Sequence, residues 1–304
     1  MMGMNAGIVG GGAMGQFLYT QLQQKHLFCL TLYTRTKEQA NQVSQQGIYL
    51  YNGNQRKHYS AIAESIDKIK QTDVLIVTLK QYALKKILPI LYCQEFQNTT
   101  LVFLQNGMGH LEEIEKLPQS KIYVGTVSHG VTKVHTNEII HKGIGPILFG
   151  RFRGIDNNFE NHMLTFNQEK FPLQFLSDFQ KVLLDKLYIN AVINPLTALL
   201  NVKNGALIQN ENFREMAHSI FEELDLVFSF QEKKEEVWHS IVQVIQATAH
   251  NESSMLQDLK NNKLTEIDGI YGYIMREANK KKKDIRYIPF LYNAISGLER
   301  RNLQ

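Results

Sequence analysis

The stretch MNAGIVGGGAMGQFLYTQLQQ, residues 4–24, constrains this chain more than any other. A short apolar run, Asn5 to Val9, leads into Gly10, Gly12 and Gly15, and a helical pattern continues through Phe17, Leu18 and Leu22. Glycine lets the backbone turn tightly and approach a pyrophosphate, while the first helical turn offers unpaired N–H donors. G-x-G-x-x-G in a strand, turn and helix setting therefore predicts a dinucleotide over Gly10, Gly11, Gly12, Ala13, Met14 and Gly15. A merely tight structural turn is the competing reading.

The next apolar run, LFCLTLYTR, ends at Thr34 and Arg35. An NAD site usually places Asp or Glu there to accept from the ribose hydroxyls. No acid occurs between Leu27 and Lys37, and Arg35 and Lys37 stand in its place. A 2′-phosphate calls for cationic donors, so the residues favour NADP(H) over NAD(H). A solvated surface arginine remains the other account of Arg35.

Alternation continues through DVLIVTLK as a buried strand, QYALKKILPIL as a helix, and TTLVFLQNGMG and KIYVGTVSHG as strands. NEIIHKG and GPILFGRF then suggest a β-hairpin. Ligands of open α/β sheets lie beyond strand C-termini, which singles out Lys80 and Asn106. Asn106 also has a turn-forming reading, because it precedes glycine. Long helical patterns follow at 176–200, 211–230, 235–249 and 265–280, with Pro195 expected to kink or break the first. The expected fold is α/β, a Rossmann-type domain over 1–175 followed by a mostly all-α domain over 176–304.

Composition narrows the partners. With 304 residues, 43% hydrophobic and a net charge of +4, the chain reads as a globular protein of two ordinary domains. The NKKKKD run at 279–284 reads as a solvated turn, and no interleaved aromatic and basic pattern points to nucleic acid. Cys29 and Cys93 lack zinc or redox spacing and read as free thiols. The first 24 residues carry no charge but hold six glycines and four glutamines, unlike a signal peptide, and no run of 18 apolar residues suggests a membrane. A cytoplasmic location is expected.

In DKLYINAVINPLTALLNVKNG, Lys186, Asn190 and Asn194 recur at four-residue steps and share one helical face over about 12 Å. Their neighbours are almost all apolar, so that face predicts a local cleft between domains rather than open solvent. A second polar group lies in NESSMLQDLKNNKLTEIDGIYGYI, where Ser253 and Ser254 precede a short stretch and Thr265, Glu266 and Asp268 open a helix. Thr265 as an N-cap, with Glu266 as a first-turn charge, is the plain structural account.

GIVGGGAMG at 7–15, LQNGMG at 104–109, KLYINAVINPLTALLNVKNGAL at 186–207 and SSMLQDLKNNKLTEIDGI at 253–270 together resemble ketopantoate reductases along essentially the whole chain. That family, also called 2-dehydropantoate 2-reductase, reduces 2-dehydropantoate to (R)-pantoate with NADPH in pantothenate biosynthesis. Its fold joins a Rossmann domain to a helical domain, with catalysis in the cleft between them. By that resemblance Lys186 is the catalytic lysine and Glu266 the functional glutamate, while Asn190, Asn194 and Ser254 hold substrate. Asn106 lies near nicotinamide and substrate, and Lys80 at the cofactor. Gln105 stands where some members have histidine, and Arg35 with Lys37 forms a variable phosphate end. The resemblance implies a small 2-keto acid as partner, allows a homodimer, and needs no metal; His110, His129 and His141 show no ligand spacing. A reductase of another branched 2-keto acid, or a nonenzymatic NADP-binding regulator, are the alternatives.

Overall fold

The computed structural model describes residues 3–303. The fold is an N-terminal Rossmann-like α/β arrangement followed by a helical bundle. Two compact units are present: one runs through residue 105 and adds 113–182, and the other takes 106–112 and continues from 183. The division falls at 182/183, within one helix, and the short segment that starts at Asn106 joins the helical unit.

The first unit is built on strands β1 (Met4–Val9), β2 (Phe28–Thr34), β3 (Ile48–Asn52), β4 (Gln55–Tyr59), β5 (Ala63–Ser65) and β6 (Val74–Val77). It continues with β7 (Thr100–Phe103), β8 (Ile122–Val127), β9 (Gly130–His135), β10 (Glu138–Gly143), β11 (Ile147–Arg153) and β12 (Leu173–Leu176). Eight form one sheet in the order β12-β11-β8-β7-β6-β1-β2-β5, parallel except where β11 meets β8. Strands β6, β7 and β8 are buried at every residue, as a sheet covered on both faces requires, so they read as continuous apolar runs. The chain leaves β1 toward β2 on one side and returns to β6 on the other. Open α/β sheets bind ligands beyond the strand C-termini at such an order reversal, and Gly10 and Lys80 lie just past the ends of β1 and β6.

The expected hairpin between β10 and β11 is not formed. β10 pairs with β9 and β3 in a separate four-stranded sheet, whereas β11 pairs with β8 and β12. Neighbouring apolar runs carry no label saying which sheet they join. The decision comes from the β9–β10 turn, where the Asn137 carbonyl accepts from Tyr49 N at 2.9 Å and its amide donates to the Gly47 carbonyl at 2.8 Å. QYALKKILPIL likewise forms two short helices, Gln81–Leu84 and Leu88–Leu91, instead of one; Pro89 sits in the first turn of the second and cannot supply a helical N–H.

The second unit contains most of the Phe179–Leu200 helix and the helices Glu211–Phe228, Lys234–Ala247, Ser254–Lys260, Tyr273–Lys280 and Tyr287–Leu303. Ala217, Ile220, Phe221, Leu224 and Val227 bury one stripe of the Glu211–Phe228 helix at helical spacing. Phe179–Leu200 is long and apolar enough to cross a membrane, but 67% of its most apolar window is buried inside the protein, as in a core helix. Pro195 does not break it. The Ala191 carbonyl, which would pair with the N–H that Pro195 lacks, accepts from the Tyr271 hydroxyl at 2.9 Å. The start of the last helix is held from another helix. The buried Glu223 carboxylate accepts from Arg286, Tyr287 and Ile288 N at 2.5, 2.8 and 2.9 Å.

Candidate functional site

In the first unit, Gly12 ends β1's turn and is the N-cap of the Ala13–Leu22 helix. No side chain caps that helix, and its first turn holds no acid, so its leading N–H groups face outward without an internal acceptor. A Cβ at Gly12 would meet nothing within 4 Å, whereas one at Gly15 would run into the Gly10 carbonyl. Open space at the second glycine and tight packing at the third fit a pyrophosphate approaching the helix end. Gly11, Ala13 and Met14 complete the same turn.

Three side chains converge on the Gly11 carbonyl: Gln16 Nε2 at 3.0 Å, Gln39 Nε2 at 2.6 Å and Lys133 Nζ at 2.9 Å. They tie the glycine turn to the helix after β2 and to β9. Nothing local in the sequence marks them, since Gln39 and Lys133 lie 28 and 122 residues from Gly11. Arg35 is exposed just past β2, and Lys37 opens the helix capped by Thr36, whose hydroxyl accepts from Gln39 N at 3.2 Å. Lys80 is half-buried, three residues past β6.

The second unit assembles the other group. Lys186, Asn190 and Asn194 lie along the Phe179–Leu200 helix, with Asn194 buried and the other two half-buried. Glu266 sits immediately before Ile267, where a helical segment begins that runs as a π-helical turn over Asp268–Gly272. Thr265 is not the helix cap; its hydroxyl accepts from Ile267 N at 3.1 Å, a local turn contact just ahead of the helical segment.

Asn106 Nδ2 donates to Glu266 Oε2 at 2.9 Å, joining residues 160 positions apart. The loop that carries Asn106 is held by the Gly269 carbonyl, which accepts from Met108 N at 3.0 Å and Gly109 N at 3.3 Å. Gly107 takes φ +77°, and a Cβ there would collide with the same carbonyl, so glycine is required twice over. The turn-forming reading of Asn106–Gly107 therefore holds, and the same turn places the Asn106 amide on the Glu266 carboxylate. Lys186 keeps part of its side chain accessible, yet protein atoms crowd its ammonium. Burial brings its pKa down to about 8, and the Glu266 carboxylate opposes that fall.

Ser254 is exposed at the first position of its helix, and its neighbour Ser253 is the N-cap, accepting from Leu256 N at 3.2 Å. Thr197 Oγ1 donates to Ser253 Oγ at 2.8 Å, which ties this helix start to the helix bearing Asn194. Ser253 and Thr197 are thus the supports for Ser254 that local pattern did not reveal. Among the histidines, burial lowers His110 and His129 to about 4, so neither stores a proton at neutral pH. His129 Nδ1 instead lies 3.0 Å from His141 Nε2 in an aromatic setting with Phe17 and Phe171. Among the described residues no group of three or more His, Cys, Asp or Glu is arranged to hold a metal ion.

A dinucleotide-type glycine turn in the first unit, and a half-buried lysine and carboxylate in the helical unit, are the features of a nucleotide-dependent oxidoreductase. The comparisons sharpen this. The family model described as ketopantoate reductase PanE/ApbA matches residues 6–154, and its C-terminal counterpart matches residues 178–299. The chain belongs to the ketopantoate reductase PanE/ApbA family. It is 35% identical to the 2-dehydropantoate 2-reductase of Bacillus subtilis (strain 168) over 299 residues, 98% of each chain. The corresponding Listeria innocua protein is 35% identical over 302 residues, 97% of each. A crystal structure of a probable 2-dehydropantoate 2-reductase from Bacillus subtilis superposes with a TM-score of 0.85 at 33% identity, covering 97% of this chain and 100% of that one. A D-mandelate dehydrogenase shares the fold at 23% identity, TM-score 0.86, with 99% of each chain covered.

Proposed function

We propose that this protein reduces 2-dehydropantoate to (R)-pantoate with NADPH. The observation that carries the reading is the meeting of Asn106, Glu266 and Lys186 in the helical unit, with a lysine whose pKa of about 8 suits proton donation near neutrality. The relatives named above, alike along nearly the whole chain, support the choice of acid.

The dinucleotide, when bound, supplies the hydride. Gly10 to Gly15 bind its pyrophosphate, Lys80 adds charge at the crevice, and Arg35 and Lys37 receive a 2′-phosphate. Lys186 Nζ would give a proton to the carbonyl oxygen of the keto acid as that carbonyl is reduced. Lys186 is left as a neutral amine and regains its proton from solvent. Asn106 and Glu266 hold the polar network around Lys186, and Glu266 also orients the substrate hydroxyl. Asn190 and Asn194 fix the substrate without adding negative charge, and Ser254 donates to its carboxylate. The test is a panel of branched 2-keto acids with NADPH and NADH, scored by cofactor oxidation and by the configuration of the hydroxy acid formed. Ketopantoate with NADPH should give the highest kcat/KM; a higher value for another acid would replace the substrate and leave the reaction class.

A further inference from the structure

The π-helical turn Asp268–Gly272 bonds to three separate carriers of the proposed site. The Glu266 carbonyl accepts from Ile270 N at 3.1 Å, and the Gly269 carbonyl holds the Asn106 loop through Met108 and Gly109 N. The third link is the Tyr271 hydroxyl on the carbonyl of Ala191, the residue after Asn190, less than one turn before Asn194 and little more than one turn from Lys186. A π turn widens the helix by one residue and so redirects carbonyls and side chains that an α-helix would spend internally. Tyr271 is completely buried, and that burial drives its phenol pKa well up, so it remains a neutral hydroxyl donor.

We propose that Tyr271 is a positioning residue, fixing the register of the Lys186–Asn190–Asn194 helix against the π turn that follows Glu266 and grips the Asn106 loop. This rests on the reading of Lys186 and Glu266 as the reacting pair. Pro195 makes the link available: without an N–H at position 195, the Ala191 carbonyl has no i+4 donor and is left for the Tyr271 hydroxyl. A proline in mid-helix is here the acceptor half of a tether rather than a kink.

A purely structural role, satisfying one orphan carbonyl, is separable from positioning. Tyr271→Phe removes the hydroxyl and keeps the ring. Combined with Pro195→Ala, it restores a helical N–H to the Ala191 carbonyl but not the tether. Loss of register predicts that Tyr271→Phe lowers kcat roughly 10- to 100-fold, the scale of a displaced catalytic group, while NADPH affinity stays near wild type. Lys186, followed by NMR titration of labelled lysine in the whole protein without substrate, should titrate below its wild-type midpoint as the raising influence of Glu266 weakens. The double variant should regain thermal stability but neither kcat nor the Lys186 midpoint. Recovery of both in the double variant, or an unchanged Lys186 midpoint and kcat in it, overturns the proposal, and the double variant decides if Tyr271→Phe alone does not fold. Turnover that survives Lys186→Ala would instead refute the catalytic reading and leave the NMR result to judge the tether.

Discussion

The proposed reaction assigns proton transfer to a single residue, Lys186. Lys186→Ala should cut turnover by roughly 10²- to 10⁴-fold, measured as single-turnover hydride transfer at saturating NADPH. In the wild type, activity should fall as pH rises through about 8, because the amine loses the proton it must donate. The same shift has a stability consequence of opposite sense. Its folded pKa lies below the unfolded value of 10.5, so between about 8 and 10.5 the unfolded chain binds the extra proton. Raising pH through that window therefore removes a penalty on the folded state, a penalty fully present below about 8. Lys186→Met should accordingly raise Tm at pH 7 while abolishing turnover, and an unchanged or lowered Tm would argue that the ammonium is well solvated. At the cofactor end, Gly12→Val has room to fold, since nothing stands within 4 Å of a Cβ there, yet it should strongly weaken NADPH binding by titration. Arg35→Ala should weaken NADPH far more than NADH, and equal losses would remove the 2′-phosphate from that site.

At the scale of elements, two contacts remote in sequence hold the helical unit in order. Glu223 caps the Tyr287–Leu303 helix from another helix, so Glu223→Ala should cost roughly 1.5 to 3 kcal/mol in denaturant unfolding, as for a lost charged hydrogen bond. The loop and π-turn contact is the second. Gly107→Ala must strain φ and push against the Gly269 carbonyl, so it should depress both Tm and turnover, with turnover falling further as Asn106 leaves Glu266. A mutant that loses stability alone would separate the loop's packing from its part in the site. The β9–β10 sheet acts at the same scale, because Lys133 on β9 reaches the Gly11 carbonyl. That contact makes an element outside the main sheet a support for the glycine turn.

For the whole molecule, the proposed activity needs both units: the first for the dinucleotide, the second for the acid and its proton. NADPH at 100 times its Kd should stabilise the folded protein by roughly 2.7 kcal/mol through mass action. Ser254→Ala should raise the KM for ketopantoate and leave that cofactor-dependent stabilisation intact. If the serine change altered neither, the substrate shell would need redrawing even with the reductase reading standing. How much of this was legible in the chain varies with the range of the interaction. Strand, turn and helix around Gly10–Gly15 are consecutive in sequence, and backbone sterics with hydrophobic periodicity declare them directly. The face shared by Lys186, Asn190 and Asn194 is equally local, being three residues on a 3.6-residue repeat. Partner choice was not. Whether β10 would pair with β9 or β11, which donor would meet the Ala191 carbonyl left by Pro195, and that Asn106 would bond Glu266 across 160 residues were decided only by the packed structure. Periodicity reports which side of an element is buried, while hydrogen-bond partners are selected by three-dimensional closure, where many donors of the same type compete and packing admits one.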